Sequence, residues 1–130
     1  MRNIIVLLCI TVLVTNCKNE TTPESKLITT EELADYMKIE DIQLIDVRTP
    51  EEYQEGYIDG FQNIDYLADD FEEKMETLDK SKPVIVHCRS GKRSASCAKK
   101  MVEAGFVKVY DLDGGIAKWI AEEGEVVIPK

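Results

Sequence analysis

The segment from Val84 to Ser94 (VIVHCRSGKRS) constrains the fold more than any other part of the chain. Its first four residues, Val84–His87, have the continuous apolar character that is typical of a strand buried on both faces of a sheet. Cys88 follows directly, then a short loop with one glycine, and then a helical pattern from Ser94 to Ala104. A buried strand that runs through a loop into a helix is the building unit of α/β folds.

The rest of the chain repeats this alternation. Thr29 and Glu32, and again Thr49 and Glu52, are spaced as capping boxes at helix starts. Such alternation predicts an α/β fold with a central parallel sheet and helices on both faces. Further strands are predicted at 42–47 and 107–112, and further helices at 67–78 and from Gly115 through Trp119.

The first seventeen residues predict an export signal. Arg2 precedes an apolar run from Ile4 to Val14, which is too short to span a bilayer, for which about 18 apolar residues are needed. The end of the run, Val14–Cys17, resembles a bacterial lipoprotein signal, although Asn16 stands where that family usually has a smaller residue. The resemblance implies lipidation of Cys17; a plain signal cleaved nearby and a short uncleaved anchor are the alternatives.

These patterns divide the chain into three parts. Residues 1–17 are predicted to be the lipoprotein-type signal segment, residues 18–26 a polar tether, and residues 27–130 the folded domain. We therefore expect the protein in the bacterial cell envelope, exported and anchored to a membrane through a lipid.

Charge and cysteine content narrow the possible partners. The net charge of −9 argues against nucleic acid as a partner. Of the four cysteines only Cys88 and Cys97 fall in the domain, and no Cys-x-x-Cys pair occurs. With His87 as the single histidine, neither a disulfide framework nor a metal site is predicted.

The loop after Val84–His87 has the features of an anion site with a reactive cysteine. A loop that enters a helix points backbone N–H groups at one spot, and the helix dipole adds positive potential there. A cysteine sulfur at that spot is stabilised as a thiolate. Arg89, Lys92 and Arg93 add positive charge to an otherwise acidic protein. The loop therefore favours an anionic substrate or intermediate, with Cys88 expected at the mouth of the loop.

Three separate segments resemble rhodanese-type sulfurtransferases. CRSGKRS after VIVH is similar to the active-site loop of that family, LIDVRTPEEYQEGYIDG to its first signature and GFVKVYDLDGGIAKW to its last. The resemblance extends from about Ile28 to Val127. Tyr57 and Asp59 depart from the Gly-His-Ile-Pro-Gly segment that the family often has. We expect this departure to alter the packing of the loop and to leave the chemistry intact.

The resemblance implies a double displacement through a persulfide on Cys88. The donor is a small anionic sulfur compound such as thiosulfate, and the acceptor is cyanide, a thiol or a protein thiol; no cofactor is implied. The implied substrate-binding loop consists of Arg89, Ser90, Gly91, Lys92, Arg93 and Ser94.

Four neighbouring residues are assigned supporting or structural roles. Asp46 and Arg48 follow the first predicted strand and are expected either to brace the loops or to touch the substrate. His87 is expected to point away from Cys88, because successive strand residues face opposite sides. Cys97 is expected to be a core residue.

Two other functions remain open from the sequence. One is phosphatase or arsenate-reductase chemistry, for which related folds use a loop one residue longer between cysteine and arginine. The other is a non-enzymatic adaptor that uses the fold to bind a partner.

Overall fold

The computed structural model describes residues 24–130, in which strands and helices alternate along the chain. The alternation predicted from the sequence is confirmed. The strands are β1 (Ser25–Ile28), β2 (Gln43–Asp46), β3 (Gln62–Asn63), β4 (Val84–His87) and β5 (Val109–Leu112). The helices are α1 (Thr30–Tyr36), α2 (Pro50–Gln54), α3 (Phe71–Glu76), α4 (Lys92–Glu103) and α5 (Gly115–Ala121).

The strands form one parallel sheet in the order β1-β5-β4-β2-β3. The first residues of four strands lie level with one another, since Val84 pairs with both Gln43 and Val109, and Val109 pairs with Ser25. The carboxyl ends of the strands therefore meet at one edge of the sheet. β4, at the centre, is buried at all four positions, as its apolar run predicted.

Helices cover both faces of the sheet, so the predicted fold class is confirmed. On one face, Phe71 and Met75 of α3 and Cys97 of α4 pack in a core with alternate strand residues such as Val84. On the other face, Leu33 of α1 and Ile116 of α5 pack in a second core.

Both predicted capping boxes are present. The Thr29 hydroxyl accepts the Glu32 N–H at 3.1 Å, and Glu32 accepts the Thr29 N–H at 2.9 Å. The same reciprocal pair joins Thr49 and Glu52, at 3.3 and 3.0 Å, with Pro50 in the first turn. These contacts fix where α1 and α2 begin.

The helix predicted over residues 67–78 is wrong at its start. α3 begins only at Phe71, and Leu67 is 64% exposed instead of packed. The Asp65 carboxylate accepts the Leu67 N–H at 2.9 Å, which holds this stretch as a turn.

The folded domain begins earlier than expected. Ser25 and Lys26, assigned to the tether, are part of β1 and pair with Val109 and Tyr110 of β5. This pairing uses backbone groups, which a polar side-chain pattern does not reveal. The signal segment with Cys17, and the tether up to residue 23, lie outside the described residues. Within residues 24–130, no helix is both long and apolar enough to cross a membrane.

Candidate active site

The site is built by the connection from β4 to α4, at the carboxyl edge of the sheet. Cys88 follows the last residue of β4, and α4 begins at Lys92, two residues before the predicted start. Gly91 caps the helix with a φ of 102°, a left-handed conformation that glycine adopts without strain. Residues 88–94 are called the Cys88 loop below.

Donors of the Cys88 loop converge on the cysteine sulfur. The Gly91 N–H lies 3.1 Å from Sγ and the Ser94 N–H 3.4 Å, while Ser94 Oγ lies 3.5 Å away. Burial by itself would raise the pKa of Cys88. Hydrogen bonds from Ser94, Gly91 and Ser90 outweigh it, so the pKa lies below its usual value and the thiolate is favoured.

Cys88 lies deeper than the sequence suggested. We expected its side chain at the mouth of the loop, but the residue is only 1% exposed and forms the floor of the loop. The side chains of Arg89 and Lys92 are exposed, outside this floor.

Arg93 is held by a carboxylate that the sequence analysis did not assign to the site. Its two terminal nitrogens contact the two Glu52 oxygens at 2.7 and 2.8 Å, across 41 residues of sequence. The Arg93 hydrogen bond is the main reason that the pKa of Glu52 falls to about 2. The loop N–H groups and the Ser94 hydroxyl are the main groups that lower the pKa of Cys88, and Arg93 interacts electrostatically with the same sulfur.

Asp46 and Arg48 form a buried brace. Arg48 Nη2 lies 2.6 Å from Asp46 Oδ2 and also donates to the Gly56 carbonyl at 2.8 Å. Arg48 Nη1 donates to the Glu52 carbonyl at 3.1 Å. These contacts tie the end of β2 to α2 and to the following loop. They match the brace that was one of the two expectations for this pair.

His87 points to the opposite face from Cys88, as expected. Its ring packs edge-on against Phe61 at 4.7 Å, in the core that α1 and α5 cover. Nε2 lies 3.5 Å from Asp46 Oδ2, and burial lowers the pKa of His87. The ring therefore stabilises the end of β4 and does not contact the Cys88 sulfur.

The start of α5 is packed against the first residues of the Cys88 loop. The Cys88 carbonyl accepts the Ile116 N–H at 2.9 Å, and the Arg89 carbonyl accepts the Ala117 N–H at 2.9 Å. A Cβ atom on Gly115 would lie 2.4 Å from the Cys88 carbonyl oxygen, so only glycine fits there. The backbone of α5 therefore approaches the backbone of the Cys88 loop closely at Gly115.

The departures at Tyr57 and Asp59 are accommodated by local packing. The Tyr57 ring stacks on Tyr53 at 4.3 Å, and the Tyr53 hydroxyl donates to the Phe61 carbonyl at 2.6 Å. Asp59 is exposed to solvent. Neither departure therefore places a side chain against the Cys88 sulfur.

Cys97 packs in the same core as Cys88. Cys97 is fully buried, and burial raises its pKa to about 12, which fits a core role. In the part of the chain that is described, no group of three His, Cys, Asp or Glu side chains could hold a metal ion.

Sequence reasoning missed two acidic residues of the site. Glu52 gave no separate signal, because its place in the capping box already accounted for it. Asp111 did give one, since it is a carboxylate within the strand predicted at 107–112, in a sheet predicted to have helices on both faces.

Known proteins resemble this chain in both sequence and architecture. The pattern that defines the rhodanese-like domain family matches residues 29–122. The Bacillus subtilis protein YtwF, whose name assigns it provisionally to the sulfurtransferases, is 45% identical over 86 residues, which cover 66% of this chain and 78% of that protein. Thiosulfate sulfurtransferase GlpE of Coxiella burnetii is 39% identical over 85 residues, which cover 65% and 78%.

Solved structures agree with this assignment. A rhodanese-related protein from Thermoplasma volcanium superimposes with a TM-score of 0.69 at 32% identity, covering 80% of this chain and 99% of that one. The polysulfide-sulfur transferase of Wolinella succinogenes superimposes with a TM-score of 0.68 at 28% identity, covering 82% and 80%. Together with the strand–loop–helix arrangement around Cys88, these matches show that the chain belongs to the rhodanese-like domain family.

Proposed function

We propose that this protein is a sulfurtransferase that carries sulfane sulfur as a persulfide on Cys88, with a small anionic donor such as thiosulfate and a thiophilic acceptor. The observation that carries the proposal is the convergence of the Gly91 and Ser94 N–H groups on the Cys88 sulfur. The names of relatives that share the domain support the same class of reaction.

The first half-reaction follows from the stabilised thiolate. The Cys88 thiolate attacks the outer sulfur of thiosulfate and forms a new S–S bond. The S–S bond within thiosulfate breaks, and sulfite leaves with the electron pair. The product is a Cys88 persulfide whose terminal sulfur carries the negative charge. Converging N–H donors stabilise an anion at this position without the need to reorganise.

The second half-reaction returns the enzyme to its starting state. An acceptor thiolate, or cyanide, attacks the terminal sulfur of the persulfide. The bond between that sulfur and Cys88 breaks, and the Cys88 thiolate leaves with the electron pair. A cysteine with a lowered pKa is a good leaving group in this step. The depth of Cys88 favours a donor small enough to enter the loop.

Phosphatase-type chemistry is the weaker candidate. The loop holds four residues between Cys88 and Arg93, one fewer than related folds with that chemistry use. We expect no hydrolysis of aryl phosphates.

Mass spectrometry of the full-length chain tests the proposal. After incubation with thiosulfate, we expect one added sulfur on the peptide that contains Cys88, and its loss on addition of a thiol. Cys88→Ser abolishes the adduct and the turnover, because a serine hydroxyl is not ionised at neutral pH. Cys97→Ser is the matched control and retains most of the activity, since Cys97 lies in the core.

Each negative result points to a different function. Phosphate release from an aryl ester without a sulfur adduct would support the phosphatase alternative. Absence of both activities, in a chain that is folded, would support the adaptor.

We also propose that the protein is exported and anchored through a lipid on Cys17, on the basis of the apolar run and polar tether in the sequence. In bacterial cells, the mature protein is expected in the membrane fraction with Cys17 as its first residue. Cys17→Ala should release it or leave the precursor uncleaved. A mature amino terminus at another position would contradict lipidation.

A further inference from the structure

Asp111 is a buried carboxylate on the same face of the sheet as the Cys88 sulfur. It lies in β5 beside Val86 of β4, which precedes Cys88 by two residues. Val86, Cys88 and Val109 all belong to the core that α4 covers, so Asp111, two residues after Val109, faces α4 as well. Asp111 therefore lies behind the Cys88 loop, beneath the first turns of α4.

One oxygen of the buried Asp111 carboxylate has no hydrogen-bond partner in the described part of the chain. The residue is 3% exposed, and its Oδ1 atom has no hydrogen-bond partner among residues 24–130. Leu27 of β1 and Val86 of β4 flank it in the sheet, and both are apolar. A carboxylate in such surroundings loses solvation that a single hydrogen bond only partly replaces. Burial accordingly raises the pKa of Asp111 to about 6, while a hydrogen bond from Ser94 acts in the opposite direction.

Ser94 is fully buried in the first turn of α4, which covers Asp111, and its hydroxyl lies 3.5 Å from the reacting sulfur. Its hydroxyl has a single proton to donate. Besides Asp111, its possible acceptors are the Gly91 carbonyl at 3.3 Å and the Cys88 sulfur at 3.5 Å. When Asp111 is ionised, its negative charge competes with the Cys88 thiolate for this proton. When Asp111 is neutral, the hydroxyl is free to turn to the thiolate.

We propose that Asp111 is a positioning residue that acts through the Ser94 hydroxyl to control how readily Cys88 ionises. The inference rests on the proposed function only in taking Cys88 as the reacting residue. For sulfur transfer, the consequence is a balance between two opposite effects of the Cys88 pKa. A lower pKa makes Cys88 a better leaving group from the persulfide, but a weaker nucleophile toward the donor. The Asp111–Ser94 pair keeps the pKa of Cys88 at a value that serves both steps.

The other titratable groups around Asp111 define the controls. Cys97, one turn along α4 from Ser94, feels the charge of Asp111. Asp113, at the end of β5, repels Asp111 and raises its pKa. Asp113 is half-exposed and pairs with Lys118 at 3.5 Å. Asp113→Asn therefore removes the same charge from the same strand end without contact with Ser94.

The experiment measures the pH dependence of Cys88 alkylation in the full-length chain. Iodoacetamide is the probe, and the rate is measured by mass spectrometry on the Cys88 peptide, so that no sulfur-transfer turnover is needed. For Asp111→Asn we expect the midpoint of the profile to fall by about one pH unit, because a negative charge and a competing acceptor are lost. The plateau rate at high pH should fall about threefold, since nucleophilicity declines with pKa.

Two further variants separate the proposal from a general structural effect. Asp113→Asn should leave both the midpoint and the plateau at their wild-type values. In a Ser94→Ala background, Asp111→Asn should shift the midpoint much less than it does in the wild type. An unchanged midpoint in Asp111→Asn, an equal shift in Asp113→Asn, or a full shift without Ser94 would each overturn the proposal.

A measurement on the unmutated carboxylate covers the case in which Asp111→Asn does not fold. In the wild-type chain labelled with ¹³C at aspartate, the Asp111 carboxyl signal should show a second inflection at the pH where Cys88 ionises. This inflection should shrink in Ser94→Ala. A signal that does not respond to the ionisation of Cys88 contradicts the coupling. Because neither experiment measures sulfur transfer, failure of this inference and failure of the proposed function give different results.

Discussion

Glu52 makes two sets of contacts at the same time, one within α2 and one with Arg93. Its backbone N–H and carboxylate complete the capping box of α2 with Thr49. The same carboxylate holds Arg93 through both oxygens, at the start of α4. One side chain thereby joins the first turn of α2 to the last part of the Cys88 loop. Its side chain is 20% exposed, so the pair is shielded from most of the solvent.

Replacing Glu52 with glutamine should weaken the fold in a pH-dependent manner. The folded-state pKa of Glu52 is about 2, below its usual value of 4.5, mainly because of the Arg93 hydrogen bond. The ionised carboxylate therefore stabilises the fold above about pH 5, and this contribution is lost as the pH falls toward 2. We expect Glu52→Gln to reduce the free energy of unfolding by about 1–3 kcal/mol at pH 6.

Denaturant unfolding at two pH values checks this expectation. At pH 3 the difference between Glu52→Gln and wild type should shrink to less than half, because much of the carboxylate's contribution is already lost there. Glutamine still completes a capping box, so the helix start is preserved. Glu51→Gln, an exposed neighbour in the same helix, is the control and should have little effect. An equal loss at both pH values would show that charge is not the cause.

At the scale of secondary structure, two helix starts fix the Cys88 loop. α4 begins within the loop and supplies the N–H of Ser94. α5 begins against the Cys88 and Arg89 carbonyls, to which it donates the N–H groups of Ile116 and Ala117. The backbone of the loop is thus held by α4, which continues from it, and by α5, which packs against it.

Comparison of Gly115→Ala with Gly105→Ala should separate the cost of a steric clash from the cost of a positive φ. Gly115 has a φ of 59°, and its Cβ would collide with backbone atoms of Cys88 and Arg89. Gly105, at the end of α4, also has positive φ (99°), but nothing lies within 4 Å of its Cβ position. Gly105→Ala should cost about 1–2 kcal/mol through its backbone conformation alone.

The cost of Gly115→Ala should exceed that of Gly105→Ala by about 1–3 kcal/mol, because the loop must shift to make room. Thermal and denaturant unfolding of the two variants measures the difference. Sulfur transfer should fall in Gly115→Ala and persist in Gly105→Ala. Similar stabilities for both variants would mean that the close approach at Gly115 is easily relieved.

Sequence patterns predicted the elements that carry local signals. The capping residues Thr29 and Thr49 mark their helices, and the apolar run before Cys88 marks β4, because these signals lie within a few residues of one another. β3 was missed, since two residues, Gln62 and Asn63, are too few to show a period. The Glu52–Arg93 pair spans 41 residues and depends on how α2 and α4 are placed by the sheet. Interactions of this kind become visible only in the folded chain.

At the scale of the molecule, Arg48 connects parts that the sheet alone does not join. It holds Asp46 at the end of β2, the Glu52 carbonyl in α2 and the Gly56 carbonyl beyond it. The ion pair is buried, with side-chain exposures of 6% and 0%. A buried pair of this type is costly to break, because the remaining carboxylate loses its cationic partner.

Arg48→Met should therefore lower the free energy of unfolding by about 3–5 kcal/mol. Lys38→Met is the matched control, since Lys38 pairs with Asp35 on the surface. That exposed pair should contribute at most about 1 kcal/mol. Chemical denaturation at neutral pH compares the two. If Arg48→Met costs no more than Lys38→Met, the loops after β2 are held by other contacts.

The parallel arrangement of the strands also determines the edge of the sheet at which the chain enters the domain. β1 runs in the same direction as β4, and Ser25 lies level with Val84 through their shared neighbour Val109. Whatever path the preceding residues take, the chain enters the domain at the amino edge, about 13 Å of strand away from the edge that carries Cys88. A lipid on Cys17, as proposed, would thus attach the domain to the bilayer through the edge of the sheet opposite the one that carries Cys88.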